Sequence, residues 1–188
     1  FRLDCLMGGF MRALWHSLLL VSLIGCTFTP SKPPAPPAPV QKTIEIELKP
    51  IGFNALNAAI KEHKGKIVVL DVWSTSCIPC MKEFPHLVEM HKKHAGAGVV
   101  CMSLSLDERE DRQRALDFLK KQDARFANYW FEGKTDDELH NAWIFSGIPV
   151  VRVYDRNGEL AKQFTNADPS NQFTYKDVEQ LVATLLNK

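Results

Sequence analysis

Two cysteines separated by two residues, Cys77-Ile78-Pro79-Cys80, carry the strongest chemical signal in the chain. They follow the apolar run Ile67-Val68-Val69-Leu70 and open a stretch, Pro79 to Ala95, that is patterned as a helix. Free amide groups at a helix start stabilise a thiolate, so Cys77 is the expected nucleophile of a redox pair. Cys80, one turn further in and less exposed, is the expected resolving thiol. The same spacing can form half of a zinc site, but structural zinc needs four ligands and the sequence has no second pair. His86, His91 and His94 fall on the same predicted helix as surface or partly packed residues, and no metal site is assigned. Cys101 lies inside a second apolar strand, Gly98 to Leu104, and reads as a small buried apolar side chain.

The elements that must position this pair follow from periodicity. Thr43 to Leu48 alternates polar and apolar residues and predicts a half-buried strand, at an edge. Phe53, Leu56 and Ile60 share one helical face between Gly52 and Gly65. Lys66 to Trp73 reads as a central strand covered on both faces, a setting in which strands are usually parallel. Pro85 should kink the helix that follows. A charged helix is expected over Glu108 to Gln122, with Ala115, Phe118 and Leu119 facing inward. Phe126 to Phe131 reads as a short strand, and a short helix carries Leu139 and Trp143. Ile148 to Tyr154 and Leu160 to Phe164 flank Asp155-Arg156-Asn157-Gly158, a hairpin turn signal. A final helix starts at a capping box, Thr174 with Asp177, and buries Val178, Leu181, Val182 and Leu185. Alternating strands and helices ending in a hairpin predict an α/β fold: a central mixed β-sheet flanked by helices on both faces.

With 188 residues, 45% of them hydrophobic, the chain is short for two ordinary domains. Lys plus Arg, 23, nearly balances Asp plus Glu, 22, which leaves no broad field for nucleic acid or an anionic surface, and no nucleic-acid partner is expected. Residues 1–26 are expected to be an address: Arg12, the apolar run 18–24, then Gly25-Cys26. The run is well short of the ~20 residues a membrane-spanning helix needs. Leu23-Ile24-Gly25-Cys26 resembles the lipobox of bacterial lipoproteins, which implies lipidation at Cys26. Cys5 is assigned no role. Residues 27–42 are a proline-rich linker, six of ten residues from Pro30 to Pro39 being proline, and should form a stiff spacer. The folded domain is expected over 43–188, held outside the cytoplasm at a bacterial membrane.

Residues from about 44 to 187 resemble the membrane-anchored thioredoxin-like proteins of the TlpA and ResA type. The resemblance rests on Trp73-Ser74-Thr75-Ser76-Cys77-Ile78-Pro79-Cys80, its continuation Met81-Lys82-Glu83-Phe84-Pro85, and Gly147-Ile148-Pro149 followed by Val150 to Gly158. The segment from Asp107 to Phe145 matches the helix-containing insertion of that branch. The resemblance implies a thioredoxin-like fold and a protein-disulfide oxidoreductase. It also implies cysteine-containing protein substrates, a membrane redox partner supplying electrons, and no cofactor. Ser76, where the family usually has an aromatic residue, and Val150, where a threonine commonly follows the proline, depart from the pattern.

The same resemblance implies a cis Pro149 that, with Ile148, offers backbone to a substrate strand. Trp73 is grouped with these substrate-facing residues, although its bulk suits packing beside the dithiol. Pro79 and Glu83 are candidates for tuning it. Asp71, six residues before Cys77, stands where thioredoxin-like proteins hold a buried carboxylate beneath the second cysteine. Desolvation should raise its pKa and let it exchange the proton of Cys80 near neutral pH; the alternative is a structural aspartate paired with a lysine. Two other functions compete. A thiol peroxidase would need a Pro-x-x-x-Thr-x-x-Cys arrangement, which is absent. A copper-binding metallochaperone module would use two cysteines and a histidine, for which His140, read as a surface residue, is the candidate.

Overall fold

The computed structural model describes residues 45–133, 136–143, 146–166 and 172–188, with the side chains of 136–138 and 140 left aside. The expected signal, the lipidation site at Cys26, the proline-rich spacer, Cys5 and the side chain of His140 lie outside the described residues.

Six strands form one sheet, β1 (Lys49–Ile51), β2 (Ile67–Trp73), β3 (Val99–Ser105), β4 (Ala127–Phe131), β5 (Val150–Tyr154) and β6 (Leu160–Thr165), in the order β1-β4-β3-β2-β5-β6. All seven residues of β2 are buried, as a strand covered on both faces requires. It pairs parallel with β3 and antiparallel with β5, so the sheet is mixed. The alternation of β2 divides the core in two. Ile67, Val69 and Trp73 join one cluster with α2 (Ile78–His94), α3 (Arg112–Gln122) and α5 (Tyr175–Leu186). Val68, Leu70 and Val72 join the other with α1 (Phe53–Glu62) and α4 (Asp136–Trp143). Helices therefore cover both faces.

The first strand differs from expectation. Residues 45–48 form no strand, and the ladder begins at Lys49, where β1 runs parallel to β4. The alternation reflects side-chain docking: Ile46 and Leu48 pack on the core, and the Leu48 carbonyl accepts from the Arg112 guanidinium at 2.9 Å instead of from a neighbouring strand. Pro50 is tolerated because β1 is an edge. The charged helix also starts later than expected, since 109–111 form a 3₁₀ turn before α3. The segment from Asp107 onward holds α3, β4 and α4, so the insertion contributes a strand that sits between β1 and β3 as well as helices.

Helix α2 runs through Pro85, whose ring leaves the Met81 carbonyl without its usual amide donor. The hairpin turn matches its sequence signal. Gly158 adopts φ +83°, and the Asp155 carboxylate accepts from the amides of Asn157 and Glu159 at 2.8 and 3.1 Å, which holds its pKa below the ordinary carboxylate range. The Thr174–Asp177 capping box opens α5 as expected.

Candidate active site

Strand β2 ends at Trp73, the chain turns through 74–76, and α2 begins with Cys77 as its N-cap. A disulfide joins Cys77 to Cys80, with Cα atoms 5.3 Å apart. The Cys77 sulfur accepts from the Cys80 amide at 3.2 Å, so it occupies the place where an N-cap oxygen would satisfy an orphan donor of the helix. That is the electrostatic setting that favours a thiolate. Cys77 is partly exposed, whereas Cys80 is only 2% exposed and belongs to the core. An incoming sulfur therefore reaches Cys77 first.

Asp71 lies on the face of β2 that α2 and α5 cover, the layer that also contains Cys80. It is 3% exposed, and burial pushes its carboxyl up to about 7, with the nearby Glu83 charge acting in the same direction. Its partner is the hydroxyl of Tyr175, which donates to Oδ2 from the first turn of α5 and opposes that rise. Among the described residues no lysine pairs with Asp71, the alternative expected from the sequence. Tyr175 is itself buried, stacks on His86 at 5.8 Å, and is held well above its ordinary pKa by burial and by the Asp71 charge. Cys101, on the adjacent strand, is a free buried cysteine whose thiol burial pushes up to about 12, Asp71 adding to the effect. It stays protonated and behaves as the apolar filler expected.

The Ile148–Pro149 peptide is cis. Val150 pairs with Val72, so Ile148 and Pro149 lie beside the end of β2 from which the chain runs into Cys77. Pro149 is buried and Ile148 partly exposed. Trp73 requires correction: it is fully buried, with ring centroids 5.0 Å from both Phe84 and Phe118, and presents no surface to a substrate. A tryptophan at the interior end of a strand covered on both faces is core, and here it ties α2 to α3. Pro79 is exposed in the first turn of α2, and Glu83 is half-buried one turn later.

One positioning residue carries no motif signal. The Asp107 carboxylate accepts from the Thr75 amide at 2.9 and 3.1 Å, from the Thr75 hydroxyl, and from the Ser105 hydroxyl at 2.8 Å. Arg114 of α3 donates to the Thr75 hydroxyl at 2.7 Å, and the Asp107 carbonyl accepts from the Trp130 indole at 2.6 Å. Together these contacts clamp the turn that delivers Cys77. Asp107→Ala leaves the Thr75 amide without its acceptor and should cost about 1–3 kcal/mol in chemical denaturation. Asp107→Asn, which retains an acceptor oxygen, should lose less.

A family model described as thioredoxin-like matches residues 65–160, just over half of the chain. The chain belongs to the thioredoxin-like family. Among curated proteins, this thioredoxin-like chain is similar to the thiol-disulfide oxidoreductase ResA of Bacillus cereus, 27% identical over 113 residues, which is 60% of the chain and 62% of that protein. The ResA protein of Bacillus subtilis is also 27% identical, over 112 residues, covering 60% of each. The chain thus spans less than two thirds of the length of these relatives. Among solved structures, a candidate thiol:disulfide interchange protein DsbE from Chlorobium tepidum superposes with a TM-score of 0.54 at 27% identity, over 66% of this chain and 83% of that one. The thioredoxin-like fold, a six-stranded mixed sheet flanked by helices, accords with the sequence expectation.

Proposed function

We propose that this chain is an extracytoplasmic thiol–disulfide oxidoreductase that exchanges disulfides with cysteine-containing protein substrates through Cys77 and Cys80. One observation carries the reading: the pair is joined at the first turn of α2, with Cys77 accessible as the N-cap and Cys80 buried behind it. The likeness to ResA and DsbE proteins supports the same chemistry. In the reducing direction, the Cys77 thiolate attacks a substrate disulfide, forming a mixed disulfide and releasing one substrate thiolate. Asp71 accepts the proton of Cys80, whose sulfur then attacks Cys77. The second substrate thiolate leaves and the Cys77–Cys80 disulfide forms, so the substrate gains the two electrons that the dithiol loses.

Ile148, with Pro149 lacking an N–H beside it, offers backbone groups to an extended substrate segment as an edge-addition mode of recognition. Glu83 and Pro79 tune the pair from the first turns of α2. A membrane redox partner supplies electrons, and Cys26 carries a lipid that holds the domain at a bacterial membrane. Among the described residues no helix is long and apolar enough to cross a membrane. The anchor rests on Leu23-Ile24-Gly25-Cys26 closing an apolar run. Cys26→Ser should therefore abolish metabolic lipid labelling and move the protein out of the membrane fraction; unchanged labelling and fractionation would refute the anchor.

The activity itself is tested by giving the fully reduced protein either a protein disulfide or hydrogen peroxide and following thiol loss against time. Oxidation of Cys77 and Cys80 by the disulfide should be the faster reaction. If peroxide oxidised the pair faster and the protein disulfide stayed intact, the peroxidase reading would replace this one.

A further inference from the structure

We propose that Tyr175 is a positioning residue for the resolving step: its hydroxyl, donated from α5 to Asp71 Oδ2, holds that carboxyl in the form that can accept the proton of Cys80. The inference deepens the disulfide-exchange reading and rests on it. Its basis is a side-chain hydrogen bond between two buried residues 104 positions apart, made inside the layer of the core that also holds Cys80.

A buried carboxyl without a donor retains its proton and is no base at neutral pH. The groups that face Asp71 from the elements packed around it are Glu83 of α2, Cys101 of β3 and Tyr175 of α5. Glu83 disfavours the ionised carboxylate by like charge, and the Cys101 thiol stays protonated. Among these three, Tyr175 alone favours ionisation, and it does so by hydrogen bonding. The phenol itself keeps its proton, since burial and the Asp71 charge hold its pKa well above the ordinary value. It is therefore a fixed donor and does not relay protons. With Oδ2 occupied, the proton from Cys80 goes to Oδ1, the Cys80 sulfur bonds to Cys77, and the bond between Cys77 and the substrate sulfur breaks. His86 stacks on the Tyr175 ring and braces its orientation.

A residue that only filled space here would change stability and leave the titration of Asp71 where it is. Two variants separate the cases. Tyr175→Phe removes the donor with little change of shape. Replacement of Tyr175 by 3-fluorotyrosine keeps the hydroxyl in place and makes it a stronger donor. Two readouts are needed, the ¹³C carboxyl shift of Asp71 against pH and the pH midpoint for decay of the mixed disulfide with a model protein disulfide. Tyr175→Phe should raise both midpoints by about one pH unit or more, as loss of a hydrogen bond to a charged group requires. The fluorinated residue should lower both. In an Asp71→Asn background, Tyr175→Phe should leave the pH profile of decay unchanged. Folded variants whose Asp71 titrates as in the wild type would overturn the proposal. If Asp71 responded as expected while no mixed disulfide formed in any protein, the disulfide-exchange reading would fall, and with it the role of Tyr175 in resolution, although the hydrogen-bond effect on Asp71 would stand.

Discussion

Replacing Cys77 by serine should abolish turnover completely, because an alcohol oxygen cannot form the mixed disulfide through which exchange passes. Replacing Cys80 by serine should act differently. Cys77 stays accessible at the start of α2 and still attacks, but nothing remains behind it to displace the substrate, so one mixed disulfide per chain accumulates and the reaction stops. The exposures of the two sulfurs give the same order in alkylation. At neutral pH, limiting iodoacetamide should modify reduced Cys77 well before Cys80, which is 2% exposed. Peptide mapping of the alkylated protein measures this directly, and faster labelling of Cys80 would reverse the assigned roles. Cys101 should be labelled only after unfolding, being 1% exposed with its thiol pushed up to about 12.

Asp71→Asn carries the second large effect, split between rate and stability. The carboxamide accepts no proton, so decay of the mixed disulfide should slow by a factor on the order of 10², while its formation by Cys77 is nearly unchanged. The stability effect follows from the raised carboxyl. In the unfolded chain Asp71 ionises near 3.8, and in the folded chain near 7. Between these values the folded state holds a proton that the unfolded state has released, so the wild type loses stability as pH rises from about 4 to about 7 and then levels off. Asparagine has no such loss. The variant's advantage should be near zero below pH 4, grow through this window, and reach on the order of 4 kcal/mol above it. Urea denaturation at a series of pH values reads the difference, and a gap that shrank with rising pH would contradict the account. Equal decay rates for wild type and variant would confine Asp71 to a structural role.

The parts of this site that were legible in the sequence are those carried by local pattern. A continuous apolar run announced β2, and the cysteine pair at its junction with a helix announced where the sulfurs sit. Asp71 stood out because the family resemblance implies a buried carboxylate six residues before Cys77, and a carboxylate in an otherwise apolar strand must have a compensating partner or a raised pKa. Which partner was not legible. Tyr175 reaches it only after the chain has wound through β3, β4, β5 and β6, and the sole local hint was an aromatic hydroxyl at the buried first position of a capped helix. Asp107 was missed for a similar reason: its tie to Thr75 spans 32 residues and depends on β3 lying parallel to β2 with their ends level. Its one signal was a carboxylate just beyond the end of a buried strand, at the end of the sheet where β2 gives way to Cys77. Trp73 and the first strand were misplaced because alternation and residue type report which side chains are buried. They do not report whether burial comes from a ladder, a docked coil or an aromatic cluster.

The central claim is that Cys77 and Cys80 exchange disulfides as a pair. It is tested most directly by mixing fully reduced protein with one equivalent of a protein disulfide under anaerobic conditions, quenching by alkylation, and mapping every cysteine by mass spectrometry. The account predicts equal amounts of substrate dithiol and of Cys77–Cys80 disulfide, with an early species joining the substrate to Cys77 and with Cys101 still a free thiol. A substrate disulfide left intact, or electrons drawn from Cys101 in place of the pair, would contradict it.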